Sequence, residues 1–313
     1  MPRTATRDVH GILLLDKARG PSSNRALQQV RELFGAARAG HTGSLDPLAS
    51  GLLPICLGEA TKIAGLLLGA RKAYAAEIRL GLTTTTDDAE GDVRVERPVP
   101  ELQLEAVRAA AATFVGRIRQ VPPIYAAIKR DGVPLYRRAR RGETLEAPPR
   151  EVEIHALQID TCDGDRVTLQ VECGSGTYIR SLARDLGERL GCGGHLTALR
   201  RLWVAPFRVP SMWTLDELVT LREHAGQAGL DACLLPLEAG LADWPRVVLT
   251  AAAATALGNG LRVPAPDGLR PGPCLALEAG GRPLALAEVD ADGRLHTRRG
   301  FHWSTRDDSA RPI

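Results

Sequence analysis

Residues 38–51 read Arg-Ala-Gly-His-Thr-Gly-Ser-Leu-Asp-Pro-Leu-Ala-Ser-Gly, and the rest of the chain is best read outward from them. The stretch gathers an acid (Asp46), an imidazole (His41), the hydroxyls of Thr42 and Ser44 and three glycines. Neither a helical nor a strand period runs through it, so residues 38–62 read as an ordered loop leading into a short helix. Loops that concentrate such groups on a rigid scaffold are where catalytic residues tend to sit. The plainer reading is an Asx-type turn at Asp46-Pro47, with glycines at sharp bends. The residues alone leave the two even. One histidine and one aspartate do not close a zinc site, and no G-x-x-x-x-G-K-[ST] phosphate loop is present.

Working outward, GILLLD at 11–16 reads as a buried strand, followed by a Gly/Pro loop in which Ser22 or Ser23 can cap a helix. Leu27, Val30 and Phe34 repeat at helical spacing, and Gly35 stops that helix. Lys72 to Gly81 alternates, with Tyr74, Ala76, Ile78 and Leu80 on one face, which predicts a strand. The polar loop 83–92 carries Asp87, Asp88, Glu90 and Asp92 without EF-hand spacing and reads as a turn. A helix is expected over 101–115. A strand is expected at Val167–Cys173, then a Gly-Ser-Gly turn and a helix with Ile179, Leu182, Leu186 and Leu190 on one side, closed by Gly191. Strand and helix patterns mix without a βαβ rhythm, so the fold class is α+β. After about residue 245 the texture turns rich in Gly and Pro, with short alternating runs separated by Gly280-Gly281 and by Asp290–Gly293. That pattern predicts a small β-barrel.

At 313 residues, 44% hydrophobic and 25% charged, the chain can build one large domain and a small one. No apolar run is long enough to span a membrane, and the short ILLL run does not make a signal-peptide core, so the expected location is the cytoplasm. The six scattered cysteines show no C-x-x-C pair and read as small buried hydrophobes. A net charge of +3 is no polycationic coat, though clustered basic residues would still bind phosphate. Such a cluster lies within 121–150: Lys129, Arg130, Arg137, Arg138, Arg140 and Arg141, interleaved with Tyr125 and Tyr136. On charge alone it would be a solvated face.

GHTGSLDPLASGLLP at 40–54 resembles the central motif of the TruB family of tRNA pseudouridine synthases, GHTGTLDPxAxGxLP, with Ser44 for the commoner Thr. Three more blocks agree in order and spacing. GILLLDKARGPSSN resembles the family's G-x-x-x-x-DKPxGxTS block, Lys72-Ala73-Tyr74 its K-x-Y strand, and Gly176-Thr177-Tyr178-Ile179-Arg180 its GTYIR motif, followed by Leu199-Arg200-Arg201. Ala18 and Ser22 depart from the first block, which commonly has Pro and Thr there. The resemblance is strong over roughly residues 10–215 and weaker beyond.

The resemblance implies a pseudouridine synthase fold: a central mixed, largely antiparallel sheet flanked by helices and loops over residues 1–245, and a small PUA-like β-barrel over 246–313. It implies isomerisation of a T-loop uridine in tRNA, with the N1–C1′ bond broken and the base rejoined through C5. That chemistry has no net redox change, so no cofactor and no metal are expected. Asp46 would be the catalytic carboxylate, attacking C1′ or assisting its departure, and Arg180 its ion-pair partner. Tyr74 would stack on the uracil and could take the C5 proton; Tyr178 and Leu199 would line the pocket. His41 would fill the space left by the flipped base, and Lys17 would make an active-site or phosphate contact. The basic residues from Lys129 to Arg141 would grip the T arm. The expected partner is the T-arm stem-loop of tRNA, met by a monomer needing no protein partner and no membrane. The alternative is a tRNA-folding chaperone in which catalysis is not required.

Overall fold

The computed structural model describes residues 6–124 and 147–303, plus the backbone of two short paired strands, β8 (Lys129–Arg130) and β9 (Val133–Pro134). Arg137, Arg138, Arg140 and Arg141 lie outside the described residues.

The strand β1 (Gly11–Lys17) explains its own ILLL run. Leu13 and Leu15 enter one core, Ile12 and Leu14 a second core on the opposite face, so every position is apolar. The same logic corrects the reading of 38–62. This stretch holds a short strand β2 (Ala39–His41) and a nine-residue strand β3 (Ala49–Leu57), followed by a 3-10 turn at Gly58–Lys62. β3 shows no alternation because it too is buried on both faces, with Leu53 and Ile55 in the first core and Leu52 and Cys56 in the second. Only Arg38 and residues 42–48 remain as loop.

The central sheet runs β1-β3-β12-β4-β11-β10-β7, with β2 on the outer part of β3. Its other members are β4 (Lys72–Leu80), β7 (Gly116–Gln120), β10 (Arg150–Asp163), β11 (Arg166–Cys173) and β12 (Gly194–Val204). Among the described strands of this sheet only the β3–β12 pair is parallel, so the sheet is mixed and largely antiparallel, as expected. A separate small hairpin joins β5 (Leu82–Thr84) to β6 (Val93–Glu96).

Helices α1 (Ser23–Phe34), α3 (Leu104–Ala112), α4 (Ile179–Arg189) and α5 (Leu215–Asp231) cover the first core. The short α2 (Ala64–Leu68) packs on the second. Ser22 is the N-cap of α1, its Oγ accepting from the Arg25 N–H at 3.2 Å, and Gly35 ends the helix in the left-handed region. Among the described residues, no helix is long and apolar enough to cross a membrane.

The C-terminal portion holds β13 (Arg246–Val248), α6 (Ala251–Gly258), β14 (Val263–Pro264), β15 (Gly272–Leu277), β16 (Pro283–Val289) and β17 (Arg294–Gly300). Its sheet order β13-β15-β16-β17-β14 makes a half-barrel of the PUA-like kind, with hairpin turns at the Gly280-Gly281 and Asp290–Gly293 signals. Leu275, Leu277, Leu286 and Phe301 join Ile12, Leu52, Cys56 and Ile63 in one continuous core, across the division expected at 245. A polar latch seals that seam. Glu59, 2% exposed, accepts from Lys62 Nζ at 2.5 Å and from the His302 N–H at 2.8 Å, while Lys62 also donates to the Gly300 carbonyl at 2.7 Å.

Gly51 is the tightest point of the parallel β3–β12 pair. Its φ is +96°, and a Cβ there would lie 2.2 Å from the Arg201 carbonyl oxygen. Both strands are fixed by their other neighbours, so neither can yield. Gly51→Ala is expected to lower unfolding free energy by at least about 3 kcal/mol in urea titration. A loss under about 1 kcal/mol would show that the pair can separate there.

Candidate active site

The loop 42–48 is held from three sides. Ser23, the first residue of α1, donates its hydroxyl to the Leu45 carbonyl (2.9 Å) and accepts from the Leu45 N–H (2.7 Å). The Gly20 N–H donates to the Pro47 carbonyl at 2.8 Å, and the Ala49 N–H to the Asp46 carbonyl at 3.0 Å. Arg201, 1% exposed on β12, donates Nε to the Leu52 carbonyl (2.6 Å) and Nη2 to the Gly43 carbonyl (3.0 Å). A loop bound this way presents its side chains at fixed positions, whatever its lack of secondary structure.

Asp46 projects from that loop with its side chain 40% exposed. Arg180, in the first turn of α4 and 5% exposed, meets it at two points: Nε to Oδ2 at 3.0 Å and Nη2 to Oδ1 at 3.3 Å. The same guanidinium places Nη1 3.5 Å from Asp88 Oδ2 and 3.2 Å from the Thr86 carbonyl oxygen, to which it donates. Arg180 therefore bridges an open carboxylate and a buried one, and its planar fork is fixed in orientation as well as position. Burial pushes the Asp46 pKa above the ordinary aspartate value of 3.8; Arg180 opposes the rise, Asp88 adds to it and Lys17 opposes it.

Lys17, Tyr74, Leu199 and His41 come from four further strands, β1, β4, β12 and β2, and Tyr178 from the N-cap of α4. Lys17 is 1% exposed, and its Nζ donates to the Ala18 (2.8 Å) and Ala49 (2.7 Å) carbonyls. Burial lowers its pKa, with Asp46 and Glu90 opposing and Arg201 assisting. Tyr74 is buried on β4 opposite Arg201 on β12, and burial raises its phenol pKa against the pull of Arg201. Tyr178 is the N-cap residue of α4; burial raises its phenol, with Arg150 and Arg180 opposing and Asp46 assisting. Leu199 is 8% exposed on β12, between Ala49 of β3 and Ala76 of β4. His41 ends β2, its Nδ1 accepting from the Gly43 N–H at 3.4 Å; burial and then Arg201 lower its pKa, so the ring is neutral at neutral pH.

Two participants were not singled out by the sequence reading. Asp88 sat in a polar loop that read as a turn, yet it is 2% exposed and bound to Arg180. The loop is docked by ladder-like bonds, Leu196 N–H to the Asp87 carbonyl (3.1 Å) and Ala89 N–H to the Leu196 carbonyl (2.9 Å). Asp87 takes φ +60° and pairs with Arg184 at 2.8 Å. Composition carries no mark separating such a docked loop from a solvated one. Arg201 was visible only as the second of two arginines, but strand alternation sends it inward and sends Arg200 out to Asp16 at 2.6 Å.

Lys72 lies beside Gly43 of the 42–48 loop and donates Nζ to the Leu68 (3.0 Å) and Ala70 (2.6 Å) carbonyls. Burial, then the charge of Arg201, lowers its pKa from 10.5 to about 8, with Cys173 opposing. Below pH 8 the ammonium is charged in both folded and unfolded chains, and its burial penalty is complete. Between about 8 and 10.5 the folded chain has released a proton that the unfolded chain still binds, so stability rises with pH. The difference in unfolding free energy between wild type and Lys72→Met should therefore move in favour of wild type from about pH 7 to about pH 10, by no more than ~3 kcal/mol. A difference independent of pH would refute the lowered value.

A family model for "TruB family pseudouridylate synthase (N terminal domain)" matches residues 31–179, and one for "tRNA pseudouridylate synthase B C-terminal domain" matches 180–242. Proteins named tRNA pseudouridine synthase B are 57% identical over 304 residues in Xanthomonas campestris pv. campestris strain 8004 (96% of this chain, 97% of that one) and 54% identical over 306 in Xylella fastidiosa strain Temecula1 (96% and 99%). Among solved structures, a chain of "Crystal Structure of a Cbf5-Nop10-Gar1 Complex" is 26% identical with a TM-score of 0.70, over 89% of this chain and 78% of that one. A chain of "Structure of H/ACA RNP bound to a substrate RNA containing 2'-deoxyuridine" shares the fold at 23% identity and a TM-score of 0.72, over 93% and 85%. Likeness of this extent, over 96% of this chain and 97% of its relative, makes the protein a member of the TruB family of pseudouridine synthases, an isomerase by class.

Proposed function

We propose that this protein converts a T-loop uridine of tRNA to pseudouridine, with Asp46 as the catalytic carboxylate. The carrying observation is the two-point grip of a 5%-exposed arginine on a carboxylate that stays 40% open to an incoming nucleotide. Such a grip keeps the carboxylate ionised and aimed in a partly dry site. The nucleotide must first leave its stack, at a cost of a few kcal/mol. The neutral imidazole of His41 suits the vacated space, since it stacks without bringing a charge among the bases.

Asp46 then acts at C1′ as the bond to N1 breaks; covalent attack would divide one hard step into two. The freed uracil turns against Tyr74, with Tyr178 and Leu199 at its sides; C5 bonds to C1′ as Asp46 is released from it, N1 takes up a proton and the C5 proton passes to solvent water. The raised phenol pKa keeps Tyr74 protonated at neutral pH, which favours the stacking role over that of a phenolate base. Lys17, with both carbonyl contacts already made, supports the loop and the charge of Asp46 rather than reaching for a phosphate. Lys129, Arg130, Arg137, Arg138, Arg140 and Arg141 supply phosphate contacts to the T arm in this reading.

A chaperone without turnover would have no use for an open carboxylate held in this geometry. The deciding measurement uses the purified chain alone, acting as a monomer in the cytoplasm-like buffer of the assay, with a tRNA transcript tritiated at uridine C5. Tritium release that vanishes when the T-loop uridine is replaced by cytidine supports the reading. Release that persists would move the target elsewhere, and no release without an added protein would sink the claim of self-sufficiency.

A further inference from the structure

Gln120 is the last residue of β7 and has no exposed surface. Its side-chain amide meets the backbone of Tyr178 twice: Oε1 accepts the Tyr178 N–H at 2.8 Å and Nε2 donates to the Tyr178 carbonyl at 3.1 Å. This reproduces, with one side chain, the pair of bonds that a neighbouring strand residue would make. Tyr178 has extended backbone (φ −105°, ψ 113°) and no side-chain cap of its own, and its carbonyl also accepts the first bond of α4, from the Leu182 N–H at 3.1 Å. The direction in which α4 sets out is therefore fixed at Tyr178 by Gln120. Two further bonds follow from the next residue of the same strand end: the Val121 carbonyl accepts from Ser181 Oγ at 2.8 Å and from Arg184 Nη2 at 2.9 Å.

We infer that Gln120 is a positioning residue for the isomerisation, setting the origin of α4 so that Arg180, two residues on, reaches Asp46 at both oxygens. This rests on the roles proposed for Asp46 and Arg180 above. A buried amide with both atoms engaged is costly to leave half-satisfied, which suits a part whose task is to hold one geometry. An ångström of drift at Tyr178 would turn the Arg180 fork from two contacts to one, and misplacement on that scale costs about 100-fold in rate.

The test compares wild type with Gln120→Leu, which keeps the volume and removes both bonds, and Gln120→Glu, which keeps only the acceptor. Single-turnover rate at saturating tRNA, tRNA affinity by filter binding and the pH–rate profile are measured on each. The rate for Gln120→Leu should fall about 10- to 100-fold with affinity changed less than about 3-fold, and Gln120→Glu should fall between it and wild type. The charged and titratable groups facing Asp46 are Arg180 from α4, the Tyr178 phenol at its N-cap, Asp88 and Glu90 from the loop after β5, Lys17 from β1 and the Tyr74 phenol from β4. With the Arg180 grip loosened, the acid limb of the Gln120→Leu profile should move to higher pH, a change that plain destabilisation would not produce. A rate within about 2-fold of wild type with an unmoved acid limb overturns the inference. Should Gln120→Leu fail to fold, Ser181→Ala removes one bond of the same clasp, and an unchanged rate and acid limb there, beside an unchanged Gln120→Glu, overturn it equally. If wild type itself releases no tritium, or if Asp46→Asn still does, the failure lies in the reading of the site and not in Gln120.

Discussion

Asp46→Asn should abolish tritium release from C5-labelled tRNA, by about 10⁴-fold or more, while tRNA affinity stays within a few fold of wild type. Asparagine fits the same volume, and Arg180 keeps its Asp88 and Thr86 contacts, so the site stays assembled. The amide lacks the negative charge that either route at C1′ requires. The substitution should also leave thermal stability unchanged or higher. Burial holds the Asp46 pKa above its ordinary value, so the unfolded chain accommodates the ionised form better than the folded one does. Above that raised pKa the charge costs stability, and a neutral amide removes the cost, as often happens at sites kept for function. For the same reason, wild-type activity should decline from a higher pH than an ordinary aspartate would give as acid is added. Residual release within about 100-fold of wild type would take the catalytic role from Asp46.

The parts of the fold legible in the sequence were those where burial is one-sided. Residues 72–80 alternate because only the face carrying Tyr74, Ala76, Ile78 and Leu80 enters a core, and the expected strand is present. β3 reads as loop in the sequence because both its faces are buried and its Gly51 and Pro54 look like breakers. Gly51 is there because Arg201 approaches too closely for any side chain, a fact about a residue 150 positions away. The seam between the central sheet and the half-barrel was equally hidden: nothing in LAL or LALAEV says which apolar side chains share a core with β1 and β3. Within the site, short motifs pointed to Asp46, Tyr74, Tyr178, Arg180 and Leu199: Arg180 pairs with Asp46, Tyr74 and Tyr178 come within electrostatic reach of it, and Leu199 sits on β12 beside β4. Asp88 and Gln120 act through Arg180 and Tyr178, and such supporting contacts depend on tertiary docking that no local pattern records.

Arg180→Met is the substitution that should damage both rate and stability, for separable reasons. The rate should fall about 10³-fold, since Asp46 loses its two-point partner and with it the main influence holding its pKa down. The acid limb of the remaining activity should shift further upward in pH. Arg180→Lys keeps the charge but offers one ammonium in place of a fork, and should fall between wild type and Arg180→Met. Stability should drop by about 3 kcal/mol, because Asp88 stays buried without its cation. Asp88 retains the Thr86 hydroxyl at 2.5 Å and the Glu90 N–H at 3.0 Å, which keeps the loss toward the low end for a broken buried pair. Adding Asp88→Asn to Arg180→Met removes the stranded charge, so urea titration of the double variant should recover much of the lost stability. Its rate should stay as low as that of Arg180→Met, because Asp46 is still ungripped. If the double variant regained activity along with stability, Arg180 would be serving the fold alone; if it regained neither, the buried charge of Asp88 would not be what Arg180 holds in place.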